Sequence, residues 1–368
     1  MPLTADNQAA AIESPSDTAS TPAREIRYEH SDDLGELLSS LRAALLVTTY
    51  QAGKLAVLGS HQNELQLSFH NFDRPMGVAI TADQSHMAVA AKSKVWFLQN
   101  APDVANRLSD ATPRDACFLA RTAQITGEIH AHEMAWLDNQ LWIVNTLFSC
   151  LCTLDDRHSF VPRWQPKFIS ELAAEDRCHL NGIATANGKA RFVTAMAESN
   201  SPGGWRATKA ESGCVIDIDS RETVTTGFAM PHSPRLHQGH LWVLDSGRGA
   251  LVKVDLQNGT TEIVARFPGY ARGLAFLGEY AFVGLSKIRE SSTFNGVPIA
   301  QDRQRLKCGV GVVHLETGKL AGQFEFKTGV DEIFDVTVLP DCPNPAMRGP
   351  YAAEDGAPQI WMVPPPTA

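Results

Sequence analysis

A unit of roughly 40 residues recurs along this chain of 368 residues, and no other feature limits the possible folds as tightly. The clearest copy spans 232–268. It reads His232-Ser233-Pro234-Arg235-Leu236, Leu241-Trp242-Val243-Leu244-Asp245, Ala250-Leu251-Val252-Lys253-Val254 and Thr261-Glu262-Ile263-Val264-Ala265. These are four short apolar runs, with turn residues such as Asn258-Gly259 between them, which predicts four β-strands. A second copy opens at His132 and repeats the phrase Leu-Trp-apolar-apolar in Leu141-Trp142-Ile143-Val144. Others open at His179, Tyr270 and Arg74.

The sixth copy is split. Its first strand is predicted in 332–339, near the C-terminus, and its other three in 45–58 and 64–69, near the N-terminus. The openings are spaced by roughly 38 to 62 residues, which suits four-stranded blades with variable loops. The fold class that follows is all-β: a six-bladed β-propeller over 26–368, closed by N-terminal strands pairing with a C-terminal strand. Closure of that kind removes exposed sheet edges. A short amphipathic helix is expected at 33–41. Residues 359–363 would either join the closing blade or pack outside it. Residues 1–25, rich in Ala, Ser, Thr, Pro and Asp, cannot bury enough apolar surface to offset chain entropy and are expected to be disordered.

Composition narrows the function classes. A net charge of −9 lacks the basic face that nucleic acid requires. No apolar run of membrane-spanning length occurs, and no basic segment followed by an apolar stretch marks a signal peptide. The seven cysteines are odd in number and irregular in spacing, so reduced, buried thiols in a cytoplasmic protein are expected. Phosphate-loop, dinucleotide, H-E-x-x-H and G-x-S-x-G motifs are absent from the sequence.

The chemistry is expected where the repeats begin. The residues at the shared opening position are Arg74, His132, His179, His232, Tyr270 and Glu332. In a closed ring, equivalent positions face one axis, so three imidazoles from successive blades should converge at one mouth of the channel. Three neutral imidazoles with an open position suit a catalytic divalent metal, zinc by default, with iron or copper also compatible. His132, His179 and His232 are therefore the candidate metal ligands. Glu332 is a candidate base or fourth ligand, or a partner of Arg74. Tyr270 and Arg272 are candidates to stabilise an oxyanion. Glu133, Asp245 and Asp335 are candidates to orient the imidazoles, and His130 is a further possible ligand. Two insertions would wall the mouth: the turn 200–206 and a lid-like segment at about 286–308. Trp136, inside a strand, is expected in the core.

Asn181-Gly182-Ile183-Ala184 and Leu241-Trp242-Val243-Leu244-Asp245 resemble blade phrases of six-bladed propellers of the gluconolactonase/regucalcin, NHL-repeat and peptidyl-hydroxyglycine amidating lyase types. Over about 40–340 the chain resembles a bacterial conserved-hypothetical propeller family without an attached activity. The lyase resemblance implies a channel zinc on His132, His179 and His232, with Tyr270 and Arg74 or Arg272 beside it. Three readings follow. One is a metal-dependent lyase or hydrolase acting on a small polar or anionic substrate or a peptide end. The second is a non-catalytic propeller that binds a protein or peptide on an aromatic rim (Trp205, Phe148, Phe294). The third is an iron- or copper-dependent oxidative enzyme. Neither nucleic acid nor membrane is an expected partner.

Overall fold

The computed structural model describes residues 25–108, 112–288 and 296–364. The expected disordered segment at 1–25 falls, apart from Glu25, outside these residues, as does Phe294.

Six antiparallel sheets, each built on a four-stranded meander, surround a central axis. Blade 1 comprises Val78–Ile80, His86–Ala91, Lys94–Asn100 and Cys117–Ile125. Blade 2 comprises Ala131–Leu137, Gln140–Asn145, Cys150–Thr153 and Val161–Trp164. Blade 3 comprises Leu180–Ala186, Lys189–Ala195, Gly213–Asp217 and Thr223–Phe228, and blade 4 Pro231–His237, His240–Asp245, Ala250–Val254 and Thr261–Arg266. Blade 5 comprises Tyr270–Leu277, Tyr280–Ser286, Cys308–His314 and Lys319–Thr328. Blade 6 is the closing blade. Its innermost strand Asp335–Pro340 pairs with Ala43–Thr48, followed outward by Lys54–His61 and Glu64–Asn71. The register runs from Ala43 against Pro340 to Thr48 against Asp335, so six consecutive pairs fasten the ring.

Local chemistry explains the hairpins. The first and second strands of blades 2, 3 and 4 are joined by two-residue turns at Asp138-Asn139, Asn187-Gly188 and Gln238-Gly239, all with positive φ. Such turns match the right-handed twist of paired strands. Ala43–Thr48, buried throughout, reads as an unbroken apolar run because blades cover both its faces. Near the axis, space is short. Gly273, at φ +83, sits where a Cβ would lie 2.4 Å from the backbone nitrogen of Val336, so blade 5 packs against blade 6 only through a glycine there.

Two sheets carry a fifth strand that the repeat pattern did not reveal. Arg27–His30 pairs with the outer edge of blade 5, and Ala346–Arg348 runs parallel to the outer strand of blade 1. Both cover edges that would otherwise be open. The expected helix is present at Leu34–Ser40, with Leu34 and Leu38 buried against blade 5 and blade 6 residues. Residues 359–363 form no strand. Ile360 packs outside blade 1, and Trp361 and Val363 are exposed. No helix of the described residues is long and apolar enough to cross a membrane.

A candidate site of three histidines at the channel mouth

The opening residues of the repeats lie at or just before the innermost strands, at one end of the channel. His132 and His232 are second in their strands, His179 immediately precedes Leu180–Ala186, and Tyr270 is first in its own. The three imidazoles pack against one another. The His132 ring centroid is 5.0 Å from that of His179, edge to face, and 6.2 Å from that of His232, nearly parallel.

Hydrogen bonds fix the tautomer of each ring. Thr146 Oγ1 donates to the Leu180 carbonyl at 2.6 Å, which uses its single hydrogen, so at 2.8 Å from His132 it accepts from Nδ1–H. His232 Nδ1 is 3.1 Å from the Met230 carbonyl, an acceptor only, and 3.0 Å from Ser246 Oγ. His179 Nδ1 is 2.9 and 3.0 Å from the two carboxylate oxygens of Asp176. All three rings therefore carry hydrogen on Nδ1 and turn Nε2 away from these anchors. Among the described residues none of the three Nε2 atoms finds a donor, and that of His232 is wholly buried without one. Burial holds His132 and His232 well below the ordinary imidazole pKa, and the Arg272 charge adds to the shift, so both are neutral.

The surrounding charges are few and enclosed. The Arg272 guanidinium, 4% exposed, sits 3.4 Å from the Phe334 ring centroid and 3.5 Å from Glu332 Oε1. Phe334 in turn stacks 5.0 Å from His132 and 5.4 Å from Tyr50. Burial lowers the Arg272 pKa, and Glu332 opposes that shift. Tyr270 is fully buried with its ring 5.8 Å from His232, and burial raises its phenol. His130 is exposed nearby at φ +53. Desolvation lowers its pKa, and Asp176 opposes the shift. The turn at 200–206 folds Trp205 onto His179 at 4.3 Å, and its indole donates to Asp176 at 3.0 Å. The described part of the 286–308 insertion places Ile288, Val297, Ala300 and Leu306 in one cluster with Trp205, Met230 and Tyr270.

Several expectations need correction. Glu332 pairs with Arg272 rather than Arg74, which lies exposed at the rim with no ion pair among the described residues. The residues that orient the imidazoles are Thr146, Asp176 and Ser246, not Glu133, Asp245 and Asp335. Glu133 accepts from the Ile183 amide and Arg235. Asp335 accepts from the Val78 and Val336 amides, and Asp245 from the Ala229 amide and Arg248. Glu133 follows His132 on one strand, so its side chain leaves on the opposite side and faces blade contacts instead. A signal for two of the missed residues was present: Thr146 follows His132, and Ser246 follows His232, by the same interval of 14. Trp205 is 1% exposed and Phe148 half-buried on Phe160, so neither forms an aromatic rim. Among the described residues no three His, Cys, Asp or Glu side chains, in their present positions, are placed to hold one ion.

A family model described as "Domain of unknown function (DUF4915)" matches residues 32–347. No curated protein matches the chain. Among solved structures, a chain from "Crystal structure of Nidogen/Laminin Complex" is similar at TM-score 0.52 and 10% identity, covering 80% of this chain and 98% of that one. A protein of unknown function from Bacteroides caccae is similar at TM-score 0.49 and 11% identity, covering 81% and 98%. At such identity the likeness of the first shows the propeller fold alone.

Proposed function

The chain belongs to that family of unassigned function, and from this premise we propose that its channel mouth is the site of a metal-dependent lyase or hydrolase. The substrate class is a small polar or anionic molecule or a peptide end. One observation carries the reading. Three imidazoles, each anchored through Nδ1 by Thr146, Asp176 or Ser246, lie in one cluster at the channel mouth, and the buried Nε2 of His232 has no hydrogen-bond partner. Anchored Nδ1–H groups of this kind are what metal-ligating histidines have. The donor chemistry fits a divalent ion, whereas the present spacing does not, so the rings would have to close on it.

A bound divalent ion would act as a Lewis acid on a substrate oxygen. The chain's own residues supply the rest. Arg272, buried and aimed at the same cluster, would hold an anionic substrate group, with Glu332 as its resting partner. Tyr270, held neutral by burial, would orient substrate beside His232. The cluster around Ile288, Val297 and Leu306 would act as a lid that excludes water. A cytoplasmic location belongs to the same proposal.

Elemental analysis of protein purified without an affinity metal tests it. We expect a transition metal near one equivalent per chain, with zinc, iron or copper identified directly. His132→Ala and His232→Ala should each lose it. Metal content unchanged by either substitution would refute the ligand set. For the peptide-binding alternative, Trp205 is buried and supplies no rim contact.

A further inference from the structure

The channel has a second opening, at the far ends of the innermost strands. It is a cavity of about 500 Å³ to which all six blades contribute. Its volume falls within the range of small-molecule sites, ~300–1,000 Å³. Its walls mix aliphatic residues with Thr81, Gln84, Thr185 and Thr337, and carry three half-buried rings, Trp136, His237 and Phe276, of which His237 stacks flat on Phe276 at 4.4 Å. Trp136, which packs on a core cluster and against Phe97, also forms part of this wall. Among the lining residues the one fixed charge is Arg235.

Arg235 is tightly placed. Its Nε donates to the Leu274 carbonyl at 2.9 Å, and its Nη1 to Glu133 at 2.9 Å and to the Pro234 and Ile183 carbonyls. Its Nη2 makes no hydrogen bond among the described residues and is not sealed from solvent. The carboxylates of Glu133 and Asp335, which balance the guanidinium, are buried and do not line the cavity. A ligand entering the funnel thus meets aromatic walls and, at the apex, one pre-oriented cationic donor. Such a donor favours a charged acceptor over a neutral one.

We propose that this lower opening is a second binding site, for a small organic monoanion with a flat apolar body. Its carboxylate takes the free Nη2 of Arg235, and its body lies between Trp136 and Phe276.

Calorimetric titration with 2-naphthoate and its neutral counterpart 2-naphthamide tests this. We expect saturable one-to-one binding of naphthoate, at least about tenfold tighter than naphthamide. Phe276→Ala, which leaves the Arg235 ion pair intact, should weaken naphthoate at least about tenfold through lost stacking area. Arg235→Gln, where folded, should erase the preference for the anion. His232→Ala, at the opposite mouth, should leave the naphthoate affinity unchanged. Equal affinity for the two probes would overturn the proposal, as would no saturable binding or a Phe276→Ala variant that binds as the wild type does. Loss of binding in His232→Ala would place the probe at the histidine mouth and overturn it equally.

Discussion

The two halves of the channel are built from the same six strands and satisfy their polar groups in opposite ways. At the histidine mouth, one nitrogen of each imidazole is anchored and the other left without a donor. In the neck below, Glu133 and Asp335 are buried and Arg235 half-buried, with their bonds almost completely filled by one another and by neighbouring backbones. His132 and Glu133 are adjacent residues, yet one faces an unsatisfied cluster and the other ties blade 2 to blades 3 and 4. Saturated buried polar groups hold a fold together, whereas unsatisfied ones cost stability and persist where a ligand completes them.

The largest expected effect lies in the neck. Arg235 bridges blades 2, 3, 4 and 5, so Arg235→Ala leaves Glu133 buried and unpaired and should cost about 3–5 kcal/mol in denaturant unfolding. A cost below about 1 kcal/mol would break the contrast between a structural neck and a functional mouth.

The two regions should also titrate with opposite sign in metal-free protein. Burial, with the Glu133 charge adding to it, pushes the Asp335 carboxyl up to about 7. The folded state then binds a proton more tightly than the unfolded one. The neck's contribution is complete below about pH 4 and lost as pH rises toward 7, by at most about 4 kcal/mol. His132 and His232 are depressed, so their contribution is present above about pH 6.5 and lost as pH falls. Stability measured across pH should lose its falling neutral limb in Asp335→Asn and part of its acid limb in His232→Gln. Identical profiles in both variants would remove the distinction.

Smaller effects sharpen it. Thr146→Val and Ser246→Ala free the His132 and His232 rings to reorient, and each should weaken metal binding about 10–100-fold with little change in Tm. The smallest concerns the thiols. All seven cysteines are free and buried, and burial raises Cys152 and Cys178 to about 12. None should react with a thiol reagent at neutral pH until the protein unfolds.

The repeat phrase made the blades legible, because a four-strand unit leaves the same alternation wherever it recurs. It also exposed the closing blade, since 45–69 carried strands without an opening and 332–339 an opening with its first strand alone. The two extra edge strands were illegible because Arg27–His30 and Ala346–Arg348 are short and belong to no repeat. In the site, the histidines could be found from their shared phase. Asp176 could not, because it reaches His179 from within a loop, at φ +48, that no periodicity governs.

Anomalous diffraction from crystals of untagged protein, collected on both sides of the zinc, iron and copper absorption edges, tests the histidine mouth most directly. We expect one strong peak within about 2.0–2.2 Å of Nε2 of His132, His179 and His232. No peak there in crystals supplied with all three metals, with the rings still 5.0 and 6.2 Å apart, would contradict the assignment.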